Sequence, residues 1–204
     1  MPRKKGYLRE TLVARATDVF HRHGYRAAST EILVQALGVN RNSVYAEFGS
    51  KAGLFGAALD HYSHHVVSTL FGPLEAPDAR LEHIEDLFRQ FGATAGDGRG
   101  LGCLMCNTAT ELGDSEPGLQ PRIERHLERM MGAFRNALRG AVACRDAPAD
   151  TDTEAQAALL TATSLGLFVM VRAAVDTRVV RDAVNAALMQ LRRLSAGAAP
   201  SRFL

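Results

Sequence analysis

Cys103 and Cys106 stand two residues apart in the stretch LGCLMCNTATEL, residues 101–112. A C-x-x-C spacing serves thiol redox couples and forms half of many structural zinc sites. The chain has no second C-x-x-C and no histidine pair at zinc-finger spacing, so we do not predict structural zinc. A thioredoxin-like couple needs a βαβ setting, which the sequence lacks. Cys103 is then either a reactive thiol at a helix N-terminus or a cysteine packed as a small hydrophobic side chain.

His61, His64 and His65 form the second group that could do chemistry. Positions i and i+4 of a helix can share one metal ion. The surrounding sequence supplies no obvious carboxylate to complete such a site, and packed or exposed histidines are commoner than ligands. We therefore predict no metal and no other cofactor.

Motifs for catalysis are missing from the sequence. It contains no Ser-His-Asp arrangement, phosphate-binding loop, dinucleotide motif or paired carboxylates, so we do not expect an enzyme. The chain has 204 residues, of which 47% are hydrophobic and 23% charged, as expected for a globular protein with a substantial core. The basic N-terminus lacks the apolar core of a signal peptide, no run approaches the length of a membrane span, and three cysteines do not form a disulfide framework. We expect a cytoplasmic protein with reduced thiols.

Charge is distributed unevenly along the chain. Residues 1–54 contain nine basic and four acidic side chains, whereas residues 55–204 contain fifteen basic and eighteen acidic ones. All three lysines fall in the first segment. A basic module joined to a mildly acidic one favours binding of a polyanion by the N-terminal part.

The pattern of that basic segment predicts three helices. Apolar residues from Leu8 to Phe20 recur at helical spacing, and Gly24 is a natural stop. Ser29 is a good N-cap for a second helix that ends at Gly38. Asn40 caps a short third helix, about 41–48, that buries Val44 and Phe48 and leaves Arg41, Asn42, Tyr45 and Glu47 outside. A helix, a tight glycine turn and a helix form a helix-turn-helix.

The rest of the chain also predicts helices only. Ser50 caps a long helix whose buried side is Leu54, Phe55, Ala58, Leu59, Tyr62, Val66 and Leu70. Pro73 and Pro77 break the chain before a helix with Leu81, Ile84, Phe88 and Phe91. The stretch GDGRGLG is a loop, and helices follow at about 103–112, from Ile123 to Leu138, and at about 153–175 and 178–195. No alternating run indicates a strand, so the predicted fold class is all-α.

A helix-turn-helix binds DNA because its second helix enters the major groove and presents its first turns to the bases. Arginine can bond guanine, asparagine suits adenine, and tyrosine reaches a phosphate or a thymine methyl group. A lysine in the first turn of the following helix would meet a phosphate. The residues that we expect at the DNA are Ser29, Thr30, Asn40, Arg41, Asn42, Ser43, Tyr45 and Lys51.

The stretch GYRAASTEILVQALGVNRNSVYAEFGSKAGLF, residues 24–55, resembles the DNA-binding region of the TetR/AcrR family of bacterial transcriptional regulators. The matching positions are Gly24, Tyr25, Ser29, Leu33, Leu37, Gly38, Val39, Ser43, Val44, Tyr45, Phe48, Ser50, Lys51 and Leu54. The resemblance implies a three-helix DNA-binding domain, residues 1–50, and a helical ligand-binding and dimerisation domain, residues 51–204. The family often has Gly at the position of Asn42 and His at that of Glu47, and a carboxylate near phosphates needs a partner such as Arg41 or a cytosine amino group.

What the resemblance implies about function is a repressor that binds a palindromic operator as a homodimer and is released by a small-molecule effector. GCLMCNTATEL resembles a Gly-Cys-Leu-x-x-Asn-x-x-x-Glu stretch of one branch, in some members of which the cysteine senses electrophiles or oxidants. A thiol-based sensor using Cys103 is therefore an alternative, and a C-x-x-C redox enzyme is an alternative outside the family.

Two further sites are expected in the second domain. An apolar pocket with a few polar anchors is typical of a ligand site. Its candidate residues are Phe88, Phe91, Cys103, Cys106, Asn107, Thr110, Met130, Phe134, Phe168 and Arg172. The last two helices are apolar on more than one side, which favours packing against a second copy of the chain.

Overall fold

A computed structural model describes residues 8–94, 100–113 and 115–197. Throughout these ranges the secondary structure is helical and no strand occurs, which confirms the predicted all-α class. Contacts divide the chain into two compact units. The first contains residues up to Val66 together with Cys103–Ile123, and the second contains Val67–Gly102 and the chain from Glu124 onwards.

Five helices lie in the first unit: α1 (Arg9–Ala27), α2 (Thr30–Leu37), α3 (Arg41–Phe48), α4 (Lys51–Tyr62) and α7 (Leu104–Leu112). Its core forms where α1 packs on α4, with the rings of Phe20 and Phe55 4.6 Å apart between centroids. The buried Thr17 hydroxyl lies 2.8 Å from the Val13 carbonyl and 3.3 Å from that of Ala58. Because α4 packs on α1, the first compact unit continues past residue 50.

Side chains at the helix starts cap the helices as the sequence predicts. The Ser29 hydroxyl accepts a hydrogen bond from the Ile32 amide. The side-chain Oδ1 of Asn40 accepts one from the Ser43 amide, and the Ser50 hydroxyl accepts one from the Gly53 amide. These oxygens replace the acceptors that the first turn of a helix lacks. The predicted stop at Gly24 is partly confirmed: its φ of 78° and ψ of 176° interrupt α1, which then makes one more turn.

The long fourth helix departs from the predicted pattern at a π-helical turn, Ser63–Val67. A π-turn adds one residue to a helical turn, so every later side chain moves round the axis. The predicted core residue Val66 is 44% exposed, and Val67 is buried in its place. In the same way Phe71 is buried, whereas the predicted Leu70 is only half-buried. The predicted positions Val66 and Leu70 were therefore wrong by one residue.

The second unit consists of α5 (Ser68–Glu75), α6 (Leu81–Thr94), α9 (Thr153–Arg172), α10 (Thr177–Gly197) and most of α8 (Gln120–Ala143). Pro73 lies inside α5 and does not break it, contrary to the prediction. The break comes at Ala76, whose extended backbone is the conformation that a following proline imposes. The predicted loop GDGRGLG falls mostly on residues 95–99, outside the described residues.

Helix α9 is long and apolar enough to cross a membrane by length and composition, since an 18-residue window reaches a mean hydropathy of 1.4. The sequence pattern predicted no such segment. A single helix of this kind is weak evidence for a membrane span, because helices of soluble proteins pass the same test. Only 28% of the window is buried within the chain, so α9 keeps an apolar surface uncovered.

Candidate nucleic-acid interface

The turn between α2 and α3 has the geometry of a helix-turn-helix. Gly38 adopts the left-handed conformation, with φ 69° and ψ 24°, and its amide donates to the Val34 carbonyl. Two residues later Asn40 caps α3. Leu37 and Val44 are buried on either side of the turn, so both helices are anchored to the core of the first unit.

The outer face of α3 carries polar side chains that contact one another. Arg41 and Asn42 are exposed, and Ser43 and Tyr45 are half-buried. The Tyr45 hydroxyl lies 3.5 Å from the Thr30 hydroxyl of α2. The Arg41 guanidinium carbon lies 5.3 Å from the centroid of the Tyr45 ring, within range of a cation–π interaction. Thr30, Tyr45 and Arg41 therefore form one connected group across both helices.

The electrostatics of this group favour a negatively charged partner. The hydrogen bond with Thr30 lowers the pKa of the Tyr45 hydroxyl, and the cations Arg41 and Lys51 lower it further. A phenol with a lowered pKa is a better hydrogen-bond donor to an anionic oxygen. The surface thus presents two cations and a hydroxyl close together.

Lys51 lies in the first turn of α4 and is held by the end of α1. Its ammonium group lies 4.7 Å from the centroid of the Tyr25 ring and 3.4 Å from the Arg26 carbonyl oxygen. The Tyr25 ring in turn packs on Phe55, with centroids 4.9 Å apart. A cation supported in this way has a defined position, and a lysine ammonium group can bind a phosphate.

Two of the predicted DNA contacts also serve the fold. The side-chain oxygens of Ser29 and Asn40 accept hydrogen bonds from the amides of their own helices, at 3.3 and 2.8 Å. Their first role is therefore to start α2 and α3. The structure brings Thr30, Arg41, Tyr45 and Lys51 into one region of the first unit, and Asn42 and Ser43 lie beside Arg41 on α3.

Glu47 is not outside, as the sequence predicted, because its side chain is only 10% exposed. Its carboxylate lies 3.4 Å from the Arg9 guanidinium, so Arg9 is a partner of this charge. Arg9 also lies 5.2 Å from the centroid of the Phe48 ring. The contact ties the start of α1 to the end of α3 and offsets the charge that would repel phosphates.

Glu111 of α7 is a residue that the sequence analysis matched to a motif without assigning it a role. Its carboxylate oxygens accept hydrogen bonds from the backbone amides of Tyr25, at 2.9 Å, and Arg26, at 2.7 Å. These residues lie 86 and 85 positions away in sequence, so helical periodicity carries no signal for the contact. The only sequence signal was the matched glutamate itself.

The two cysteines of the C-x-x-C stretch are buried at the start of α7. A hydrogen bond between the two thiols, together with burial, raises the pKa of Cys106. Burial, with Cys103 close by, raises the pKa of the Tyr62 hydroxyl. Cys103 is the N-cap residue of α7, but its side chain makes no capping hydrogen bond. This environment opposes formation of a thiolate at Cys106 and suits packing.

The histidines of α4 and the π-turn lie against one another. The ring centroids of His61 and His65 are 4.3 Å apart, and those of His64 and His65 are 5.1 Å apart. Burial lowers the pKa of His61, and the proximity of His65 lowers it further. Burial and the neighbouring His65 thus disfavour the charged form of His61.

The predicted ligand-binding residues fall in both compact units. In the second unit, Phe88 and Phe134 are fully buried with ring centroids 6.4 Å apart, and Phe91 meets Phe168 at 4.9 Å. Met130 is also fully buried, whereas Arg172 is exposed. In the first unit, Asn107 is half-buried, and the exposed Thr110 hydroxyl lies within hydrogen-bonding distance of the Cys106 and Asn107 carbonyls of its own helix.

An apolar groove of about 280 Å³ runs between α9 and α10. Its walls are Gln156, Leu159, Leu160, Thr163, Ala183, Ala186, Ala187, Gln190, Leu191 and Leu194. Leu159 is 43% exposed, and the same two helices expose Val169, Val179 and Met189. Both helices therefore expose large apolar side chains.

Both parts of the chain match known families. Residues 12–58 match the family described as "Bacterial regulatory proteins, tetR family", and residues 77–194 match "Tetracyclin repressor-like, C-terminal domain". The first match contains the helix-turn-helix and Lys51, and the second contains α6 to α9 and most of α10.

Individual relatives extend this likeness over nearly the whole chain. An uncharacterized HTH-type transcriptional regulator, YezE of Bacillus subtilis, is 30% identical over 94% of this chain and 100% of its own length. The HTH-type transcriptional repressor ComR of Escherichia coli is 34% identical over 54% of this chain and 53% of its own. Among solved structures, a cysteine mutant of the TetR family regulator CifR, complexed with 26-base-pair operator DNA, is 31% identical, covering 92% of this chain and 98% of its own, with a TM-score of 0.81.

Proposed function

The chain belongs to the TetR family of bacterial transcriptional regulators, and we propose that it is a repressor whose helix α3 enters the major groove of a palindromic operator. The observation that carries this proposal is the connected group of Thr30, Tyr45 and Arg41 on the outer face of the helix-turn-helix. Side chains already oriented by one another lose less conformational freedom on binding DNA. The relative ComR is named a repressor, and the similar CifR structure contains operator DNA.

Within this proposal each side chain has a distinct part. Arg41 bonds the acceptor edge of a guanine and Asn42 an adenine, because these pairs match in the major groove. Tyr45 and Lys51 contact phosphates, which sets the position of α3 without reading sequence. Residues 1–50 then form the DNA-binding domain, and residues 51–204 carry effector binding and dimerisation.

The groove between α9 and α10 supports a homodimer. A palindromic operator needs two copies of α3 related by a two-fold axis. The uncovered apolar side chains of these helices, Leu159 and Met189 among them, would be buried when two copies pack together. The low charge in the middle of both helices suits such a self-complementary contact.

A small-molecule effector completes the proposed cycle, with the aromatic cluster of Phe88, Phe91, Phe134 and Phe168 as the apolar part of its site. The alternative of a thiol sensor at Cys103 has less support, since both cysteines are buried and the Cys106 pKa is raised. A regulator of this kind works in the cytoplasm and is not an enzyme.

A binding titration tests the proposal. The probe is a labelled duplex that carries the region immediately upstream of the protein's own coding sequence, against a scrambled duplex of equal length. We expect a preference for the first duplex and an affinity that falls steeply with salt, because phosphate contacts release counterions. Equal affinity for both duplexes at moderate salt would contradict the proposal.

A further inference from the structure

A carboxylate from α7 caps the broken end of α1. The backbone of Gly24 is non-helical, so the amides of Tyr25 and Arg26 begin a new turn without acceptors from the preceding helix. Glu111 supplies both acceptors, with Oε2 2.9 Å from the Tyr25 amide and Oε1 2.7 Å from the Arg26 amide. The side chain therefore does for this turn what an N-cap residue does, from a distant part of the chain.

A side chain at position 24 would force the Glu111 carboxylate out of this contact. A Cβ atom on Gly24 would lie 2.5 Å from Oε2 of Glu111, well inside van der Waals contact. The φ of +78° also disfavours any residue other than glycine. The positive φ at position 24 and the closeness of the Glu111 carboxylate therefore both favour glycine there.

Helix α7 is a fixed support for this contact. Leu104, Met105, Cys106 and Thr108 are all buried, with exposures between 1% and 5%. The Thr108 hydroxyl donates to the Leu104 carbonyl of its own helix at 2.7 Å. Because its first two turns are packed into the core of the first unit, α7 determines where Glu111 and the segment that it caps must lie.

The capped segment is also the one that Lys51 contacts. The Lys51 ammonium group donates to the Arg26 carbonyl and lies over the Tyr25 ring. The backbone amides of these same two residues donate hydrogen bonds to Glu111. The Arg26 guanidinium also donates to the Ser115 hydroxyl just beyond α7, at 3.5 Å. A chain of direct contacts therefore runs from α7 through two residues to a proposed phosphate contact.

We propose that Glu111 is a positioning residue for DNA binding, which holds the segment from Gly24 to Arg26, and with it Lys51, in the orientation that contact with a phosphate requires. The inference rests on the proposed function and adds to it the contact by which α7 positions Lys51. A movement of α7 would release the two amides and let Lys51 leave its position.

The test compares Glu111→Gln with Lys51→Ala and with the double variant, using the upstream duplex described above. Glutamine keeps the shape of the side chain but loses the charge and one acceptor. We expect Glu111→Gln to weaken binding roughly tenfold, the effect of one charge-assisted contact. The slope of log K against log salt should fall by about one, as for Lys51→Ala, because one phosphate contact is lost. The double variant should bind no more weakly than Lys51→Ala alone.

The control is Glu128→Gln, which changes the charge equally at an exposed position of α8 and should bind like the wild type. Amide hydrogen exchange of Tyr25 and Arg26 should speed up in Glu111→Gln and not in the control. Wild-type affinity and slope in Glu111→Gln, or effects that add to those of Lys51→Ala, would overturn the inference. A wild-type protein without preference for the duplex would instead contradict the proposed function.

Discussion

The Tyr45 hydroxyl lies 3.5 Å from the Thr30 hydroxyl, so the two helices of the helix-turn-helix are joined on the face that we propose meets DNA. We expect Tyr45→Phe to weaken operator binding about five- to tenfold, the value of one hydrogen bond of about 1 kcal/mol. Tyr45→Ala should weaken binding further, because it also removes the ring that Arg41 contacts. Binding titrations and thermal unfolding check both, and the melting temperature should change little because Tyr45 is half-buried.

Thr30→Val is the matched variant, since it removes the partner hydroxyl and keeps the shape. Combining it with Tyr45→Phe should cost little more than either change alone, because both break one contact. Additive losses would mean that the two hydroxyls act on DNA independently.

Gly24 and Gly49 offer a matched pair of glycines. Both have a positive φ, 78° and 75°, but a Cβ on Gly24 would meet Glu111 whereas one on Gly49 would have nothing within 4 Å. Gly49→Ala should lower the free energy of unfolding by about 1 kcal/mol through backbone strain alone. Gly24→Ala should cost about 1–3 kcal/mol more through overpacking.

The contribution of the contact can be separated by a second change. Adding Glu111→Ala to Gly24→Ala removes the atoms with which the new methyl group collides, so part of the lost stability should return. Denaturant unfolding measures all of these variants. Equal costs for Gly24→Ala and Gly49→Ala would contradict the close approach of the carboxylate.

Leu159 is 43% exposed in the groove between α9 and α10, so Leu159→Arg should not disturb the fold of one protomer. In the proposed dimer it would bury an unpaired charge, and the protein should become monomeric. Analytical ultracentrifugation measures the change. Val66→Arg is the control, since Val66 is 44% exposed at the π-turn and lies outside the groove. A dimeric Leu159→Arg protein would place the interface elsewhere.

The carboxylate of Glu75 accepts hydrogen bonds from Arg129 of α8, one of them at 2.8 Å. These bonds lower the pKa of Glu75 below its ordinary value of 4.5, so the folded chain holds fewer protons than the unfolded chain near that pH. Their contribution is therefore complete above about pH 5 and is lost as the pH falls through the folded-state pKa. Because the pair is partly exposed, we expect about 0.5–1 kcal/mol. Glu75→Gln should flatten the stability curve between about pH 5 and 3 in urea titrations. Glu124→Gln, an exposed carboxylate of α8, is the control.

The π-turn predicts opposite outcomes for two neighbouring valines. Val67 is 2% exposed, so Val67→Ala should lower the free energy of unfolding by about 1–2 kcal/mol through lost burial. Val66 is 44% exposed, and Val66→Ala should cost less than about 0.5 kcal/mol. An uninterrupted α-helix with the spacing predicted from sequence would reverse this order. Urea denaturation of the two variants decides between them.

These valines also illustrate which parts of the fold could be predicted from sequence. The caps at Ser29, Asn40 and Ser50 depend on residues three positions away, so local spacing was enough to predict them. A π-turn arises when tertiary packing overrides helical spacing, and nothing within residues 63–67 indicated it.

The candidate site divides in the same way. The polar face of α3 follows from its period, and Lys51 from its place in the first turn of the next helix. The pairing of Glu47 with Arg9, and the capping by Glu111, join residues that lie far apart in sequence. Such contacts exist only after the chain has folded, so charge and spacing in the sequence left the partner of Glu47 open.

The compact unit that contains the helix-turn-helix is discontinuous in sequence, since it needs α7 as well as the first 66 residues. The ribosome synthesises α1 to α4 well before Glu111. The amides of Tyr25 and Arg26 therefore lack this acceptor until more than eighty further residues have emerged. The first compact unit is thus incomplete at that stage of synthesis. A fragment that ends after α4 should fold less stably than the same residues in the whole chain. The order of synthesis therefore delays completion of the proposed DNA-binding unit until α7, which supports it, has been made.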